Sequence, residues 1–202
     1  AATITYRAWD QTTGTSGGIA DTTVNGATTA FSSATSLGTH TVAPVNERKF
    51  LGYSVTTHRQ PRLKIAPQSV QRFKTKLRAL LRRGRGRNLT AVIAELTPIL
   101  RGWVAYFKLT EVKVSLETLD QWLRRKLRAI LWKQWKAWQT RLRELVRLGL
   151  DSERAAAAAC NGRGHWWNAG ASHMHEAVPN HLLHRWGLVS VLWEHRRLGC
   201  GL

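Results

Sequence analysis

The chain has 202 residues, of which 31 are Lys or Arg and 12 are Asp or Glu, a formal charge of +19. That length allows one or two domains with a real core. Its charge exceeds what solubility needs and points to a polyanion, nucleic acid ahead of an anionic membrane surface. No apolar run reaches the roughly 18 to 20 residues of a membrane span, and the first residues lack the charged start and apolar centre of a signal peptide. The two cysteines, Cys160 and Cys200, form no Cys-x-x-Cys. They argue against a disulfide framework and fit a reducing cytoplasm.

The charge is uneven. Residues 1–46 hold Arg7, Asp10 and Asp21 as their only charges and are rich in Thr, Ala, Ser and Gly. In "TITYRAWD", Ile4, Tyr6 and Ala8 alternate with outward residues, as in a half-buried strand. "TSGG" and "VNGAT" supply turns, and "GTHTVAPVN" reads as a closing strand. This stretch resembles the end of a repeat from a large bacterial adhesin. Such sandwiches need about 100 residues, so a poorly ordered polar arm is the other reading. Composition switches at "VNERKF", placing a boundary near Asn46.

Residues 47–66 read as a hairpin, with Phe50, Tyr53 and Val55 before the "HRQP" turn and Leu63 and Ile65 after it. Residues 67–139 read as helical. Pro67 and Ser69 open a helix with Val70, Phe73, Leu77 and Leu80 at i, i+3, i+4 spacing. A basic glycine-containing loop, "RRGRGRN", ends it. Asn88 caps the next helix over Val92, Ile93 and Leu96, and Thr97-Pro98 is expected to restart one, since proline suits a first turn and breaks an interior. Helices are expected near 69–83, 89–107 and 115–136, bundled around Phe73, Leu77, Leu96, Leu100, Trp103, Phe107, Leu123, Leu127 and Ile130. Ser115 is the expected cap of the third, with Glu117 and Asp120 favouring its N-terminal end. Residues 140–202 read as a loosely packed tail of short helices, with "NGRGHWWNAG" as a loop. The predicted fold is therefore mainly α, with a short β-hairpin and a β-prone arm.

The third helix carries "LDQWLRRKLRAILWKQWKAW", which mixes tryptophan with cations. At 100° per residue, Leu119, Leu123, Ile130, Leu131, Trp135 and Trp138 fall within about 80° of Leu127, a core stripe. Arg125, Lys126, Arg128, Lys133 and Lys136 occupy the opposite arc, with Arg124 at its edge. Trp132 lies inside that arc and Trp122 near it, so each either packs against another helix or stacks on bases. A basic face is commonly plain solvated surface. A second cluster, Lys74, Lys76, Arg78, Arg82, Arg83, Arg85 and Arg87, together with the scarcity of acids, favours phosphate binding instead.

"LTPILRGWVAYFKL" followed by "LDQWLRRKLRAILWKQWK" resembles the thumb and maturase-specific region, domain X, of group II intron reverse transcriptase/maturases. Pro98, Arg101, Gly102, Trp103, Tyr106 and Phe107 carry the first motif, and Asp120, Trp122, Arg124, Arg125, Leu131, Trp132, Lys133, Gln134 and Trp135 the second. "KFLGYS" and "IAPQSVQRFKTKLRAL" are similar to the end of the palm and the first thumb helix. "TRLRELVRLGLD", "GRGHWW", "EAVPN" and "GLVSVLWEHRR" resemble the tail of bacterial members without an endonuclease domain. The resemblance implies a bacterial, cytoplasmic, non-catalytic module that grips structured intron RNA for splicing, with target DNA as a further partner through the tail. It also implies a structural role for Arg-Gly-Trp, Gly102 permitting close packing. No cofactor is implied.

Polymerase activity in that family needs a Tyr-Ala-Asp-Asp motif and a further Asp to hold two metal ions. The chain has four aspartates and no Asp-Asp pair, so it is not expected to polymerise. The tail histidines, with His173-x-His175 and His181-x-x-His184, raise a His-dependent metal nuclease as an alternative. Only Glu176 and Glu194 accompany them, and zinc-finger spacing is absent. "GRGRG" lacks the Gly-Lys-Ser/Thr ending of a phosphate-cradling loop. A basic remnant without specificity, or a surface protein acting through its arm, completes the alternatives.

Overall fold

A computed structural model describes residues 2–12, 22–23, 25–27, 29, 31–40, 48–83 and 86–199. It divides into two units, 1–44 and 45–202. In the first, strand β1 (Ala2–Trp9) pairs antiparallel with β2 (Phe31–His40), with an irregularity between Arg7 and Trp9. The guanidinium of Arg7 donates to the carbonyls of Ser32 and Ser33. The "TSGG" turn and the end of the predicted closing strand, beyond His40, lie outside the described residues.

The second unit begins with a hairpin of β3 (Tyr53–Val55) and β4 (Leu63–Ile65), Tyr53 opposite Ile65. Helices α1 (Pro67–Arg83), α2 (Leu89–Tyr106) and α3 (Val114–Gln134) follow. Then come α4 (Trp138–Arg147), α5 (Ser152–Ala159), α6 (His165–Asn168), α7 (Ser172–Ala177), α8 (Asn180–Arg185) and α9 (Val191–Gly199). The protein is mainly α with a short hairpin, as its periodicity predicts. Among the described residues no helix is long and apolar enough to cross a membrane.

Local chemistry explains four of the helix ends. Asn88 caps α2 by accepting from the Thr90 amide, and Asp151 caps α5 by accepting from Glu153 and Arg154. Gly187, at φ +95°, closes α8. Its amide reaches the His184 carbonyl, and the Leu188 amide reaches that of Leu183. This left-handed ending costs a side-chain-bearing residue dearly. Gly149 and Leu150 close α4 with the same pair of bonds, to Val146 and Leu145.

Four expectations need correction. Helix α2 does not restart at Pro98 but runs through it. Both Pro98 and Ala94, whose carbonyl loses its helical donor, lie on the exposed side, so water can take the missing bond. Ser115 is not the cap of α3: Lys113 holds that position, without a side-chain bond. Trp138 is not core but half-exposed. Helix α3 ends at Gln134, and the extended residues that follow break the helical wheel that placed Trp138 on the apolar stripe. Nor is Gly102 there for close packing, since a Cβ at that position would meet open space.

The tail is the largest departure. It does not pack loosely: Ala155, Met174, Val178, Leu183 and Val191 are sealed into the same core as Leu77, Leu96, Leu100, Leu123 and Leu127. The reason lies on α3. The carboxylate of Asp120, itself buried, accepts from the amides of Val191 (2.8 Å) and Leu192 (3.2 Å) and from the Ser190 hydroxyl (2.6 Å). Asp120 therefore serves the N-terminus of α9, 70 residues away, rather than that of its own helix. Glu194, in the first turn of α9, is held by Arg197 and approached by Arg101 at 3.9 Å.

Replacing Asp120 with alanine leaves two helix-end amides without their acceptor. Asp120→Ala is expected to lower unfolding free energy by about 2 to 4 kcal/mol, a cap plus charged hydrogen bonds, with Asp120→Asn intermediate. Urea denaturation followed by circular dichroism checks this.

Candidate nucleic-acid interface

Helix α3 is packed by α1, α6 and α9, so little of its expected basic arc reaches water. Arg128 is 2% exposed, donating through Nε to the Val178 carbonyl (2.9 Å) and through Nη2 to Asn180 (3.0 Å). Burial, reinforced by the nearby Arg124, pulls its guanidinium pKa down to about 10. Trp132 is likewise 2% exposed, with Arg141 over its ring at 5.0 Å and His173 at 5.6 Å. Neither residue can touch RNA from there. Their assignment as RNA contacts is corrected: the tail folds back over the arc and turns its cations into internal donors.

Arg124 and Arg125 are half-buried and also occupied. Arg124 lies 3.8 Å from Asp120. Arg125 donates twice to the Trp166 carbonyl, at 3.2 and 3.0 Å, and sits 4.3 Å from the centre of the Trp166 ring. A Cβ at Gly170 would come within 2.8 Å of that guanidinium, so a larger residue there would push the Arg125 side chain aside. Trp122 is half-buried between α1 and α3, with Arg78, Lys74 and Lys126 within 5.5 to 5.9 Å of its ring. It packs, and three cations gather at its margin.

The remaining cations do face water. Lys76, Arg78 and Arg82 stand exposed along α1, with Lys74 partly covered. Arg72, absent from the sequence-based set, joins them. Lys133 is half-buried and Lys136 exposed. Arg87 is paired with Glu95 at 2.8 Å, while its carbonyl accepts from Gln134. Arg85 and the side chain of Arg83 lie outside the described residues.

Two surfaces result. Between α1 and α3, Arg78, Arg82, Lys126 and Lys133 line a cleft of about 140 Å³ floored by Leu81, Ala129 and Ile130, with His165 of α6 at its edge. The second is a groove of about 630 Å³ with Lys49, Arg72 and Lys76 around Trp103, Tyr106 and Phe107. The resemblance motif builds its wall: Trp103 stacks on Phe73 at 4.5 Å and meets Phe107 at 4.8 Å. Tyr53 donates to the Tyr106 carbonyl and Tyr106 to that of Leu51, tying hairpin to helix. Among the described residues no acidic side chain lines either surface.

Beside the cleft, residues read as a loop form α6. Its Trp166 and Trp167 remain 36% and 45% exposed. Lys126 approaches the Trp166 ring at 4.6 Å and Arg163 the Trp167 ring at 4.1 Å. Helical periodicity misses such residues. The detectable signal was two adjacent tryptophans in a glycine-rich, polar stretch.

Among the described residues no three His, Cys, Asp or Glu side chains converge as a metal site; Cys200 lies outside them. His173 instead fills a buried space between Trp132 and Trp167.

Residues 70–149, from the first turn of α1 to the end of α4, match the family model of the group II intron, maturase-specific domain. The match covers 80 of 202 residues, including both basic helices and the Arg-Gly-Trp motif. Over those residues the chain is similar to the maturase-specific domain of the group II intron family. No curated protein gives a significant match.

Burial, then the neighbouring Arg154, lowers the pKa of His173 below its usual 6.5. Burial does the same at His195. These rings take up protons more readily in the unfolded chain, so their stabilising effect is complete above about pH 6.5 and declines as pH falls through it. The melting temperature is expected to drop between pH 7 and 5, and less steeply in His173→Gln, as scanning calorimetry would show.

Proposed function

We propose that the second unit is a non-catalytic RNA-binding module that grips structured group II intron RNA and supports its splicing. One observation carries this reading: the outward cations of α1 and the lip of α3 flank two concavities whose described lining residues include no acid. An ordinary solvated surface intersperses acids with bases. Here phosphates would supply the missing negative charge, releasing counterions as they bind. The maturase-specific match supports the choice of intron RNA among polyanions. Catalysis of splicing belongs, on this reading, to the RNA. For the first unit, the antiparallel β1–β2 pair is compatible with a fragment of an adhesin-type repeat.

Arg72, Arg78 and Arg82 are exposed. Their joint replacement by alanine is expected to weaken binding to a structured intron RNA and to reduce the salt slope by about one per lost phosphate contact. Thermal stability should stay nearly unchanged. Replacing buried Arg128 should instead destabilise the fold. Filter binding across a salt series, with unrelated RNA and duplex DNA as competitors, tests this. Unchanged affinity in the triple variant contradicts the assignment.

A further inference from the structure

Cleft and tail together identify a finer feature of the ligand. We infer that the α1–α3 cleft takes the phosphodiester backbone of an unpaired RNA segment, whose bases stack on Trp166 and Trp167. This rests on the RNA-binding reading above and specifies which form of RNA that site prefers.

The cleft's size is the first ground. About 140 Å³ accommodates a phosphate and a few waters, each water claiming about 30 Å³. Arg78, Arg82, Lys126 and Lys133 supply fixed positive charge around an apolar floor, where a phosphate is held more strongly than in open solvent.

The second ground is the platform beside it. His165, on the cleft's edge, is followed directly by the two exposed indoles. They are positioned before any ligand arrives. Arg125 grips the Trp166 backbone through two hydrogen bonds. Asn168, fully buried, donates to the carbonyls of Arg163 and Gly164 and exchanges side-chain bonds with Asn161, fixing the loop that precedes α6. Holding the outer parts of these indoles rigid in water adds no burial to the fold beyond the contacts of Trp167 with His173 and of Trp166 with Arg125. For binding it lowers the ordering cost.

Unpaired bases offer π-faces to such rings, and every base has one, so recognition of this kind tolerates sequence. A duplex keeps its base faces stacked inside and would engage the cations alone. Arg163 beside Trp167 adds a cation where the strand's next phosphate would follow.

The test uses the full chain and two RNAs of equal length, an unstructured single strand and a blunt duplex, measured at one salt concentration. Trp167→Ala is expected to weaken single-strand binding by roughly fivefold to a hundredfold while changing duplex binding less than about twofold. Trp167→Phe, which keeps a π-face, should retain most of the affinity. Equal affinity of wild type and Trp167→Ala for the single strand overturns the inference, as does an equal loss on both RNAs, which would mark Trp167 as a structural support. Failure of wild type to bind either RNA would overturn the RNA-binding reading itself.

Discussion

A single carboxylate decides how this chain is arranged. Asp120 lies buried on α3 and takes the first amides of α9 together with the Ser190 hydroxyl. Burying a charge is costly unless it is hydrogen-bonded and paired. Asp120 meets that condition through two amides, a hydroxyl and Arg124 at 3.8 Å. Once α9 is seated, the chain from α5 to α8 must run back over α3, and Arg128 finds the Val178 carbonyl and Asn180 on that returning segment. An arginine-rich helix face thereby becomes an interior joint.

That conversion divides the charge into two populations. Arg125 and Arg128 hold the tail, while Arg72, Lys76, Arg78 and Arg82 face water. The first group contributes hydrogen bonds to fixed carbonyls and side chains, interactions that salt hardly screens. The second is free to exchange counterions for phosphates. Composition alone merges the two, and a charge of +19 overstates the surface offered to RNA.

Much of the fold was legible because its signals are local. The apolar spacing of Phe73 and Leu77 and the Asn88 cap each act within a few residues, and the core stripe from Leu119 to Trp135 followed directly from 3.6-residue periodicity. Interactions spanning long stretches of sequence were not legible. Asp120 could be read only as an acid near its own helix's start, because its partner lies 70 residues on. Trp132 looked available for stacking because a helical wheel shows one helix and not what covers it. Of the RNA-contact set, Lys76, Arg78 and Arg82 on α1 remained outward, whereas Arg128 and Trp132 were lost to the interior. Trp166 and Trp167 went unread as a surface because a four-residue helix has no periodicity to detect.

Burial of the α3 arginines requires the tail and the helical bundle to behave as one folded body. Native-state hydrogen exchange of the full chain tests this most directly, by comparing the amides of α3 with those of Val191 and Leu192 at the start of α9. Matched, slow exchange in both, with Met174 and Val178 alongside, is the predicted result, since elements sharing one core open together. Rapid exchange from α5 to α9 while α1 to α3 remain protected would contradict it, and would return the arginines of α3 to the surface.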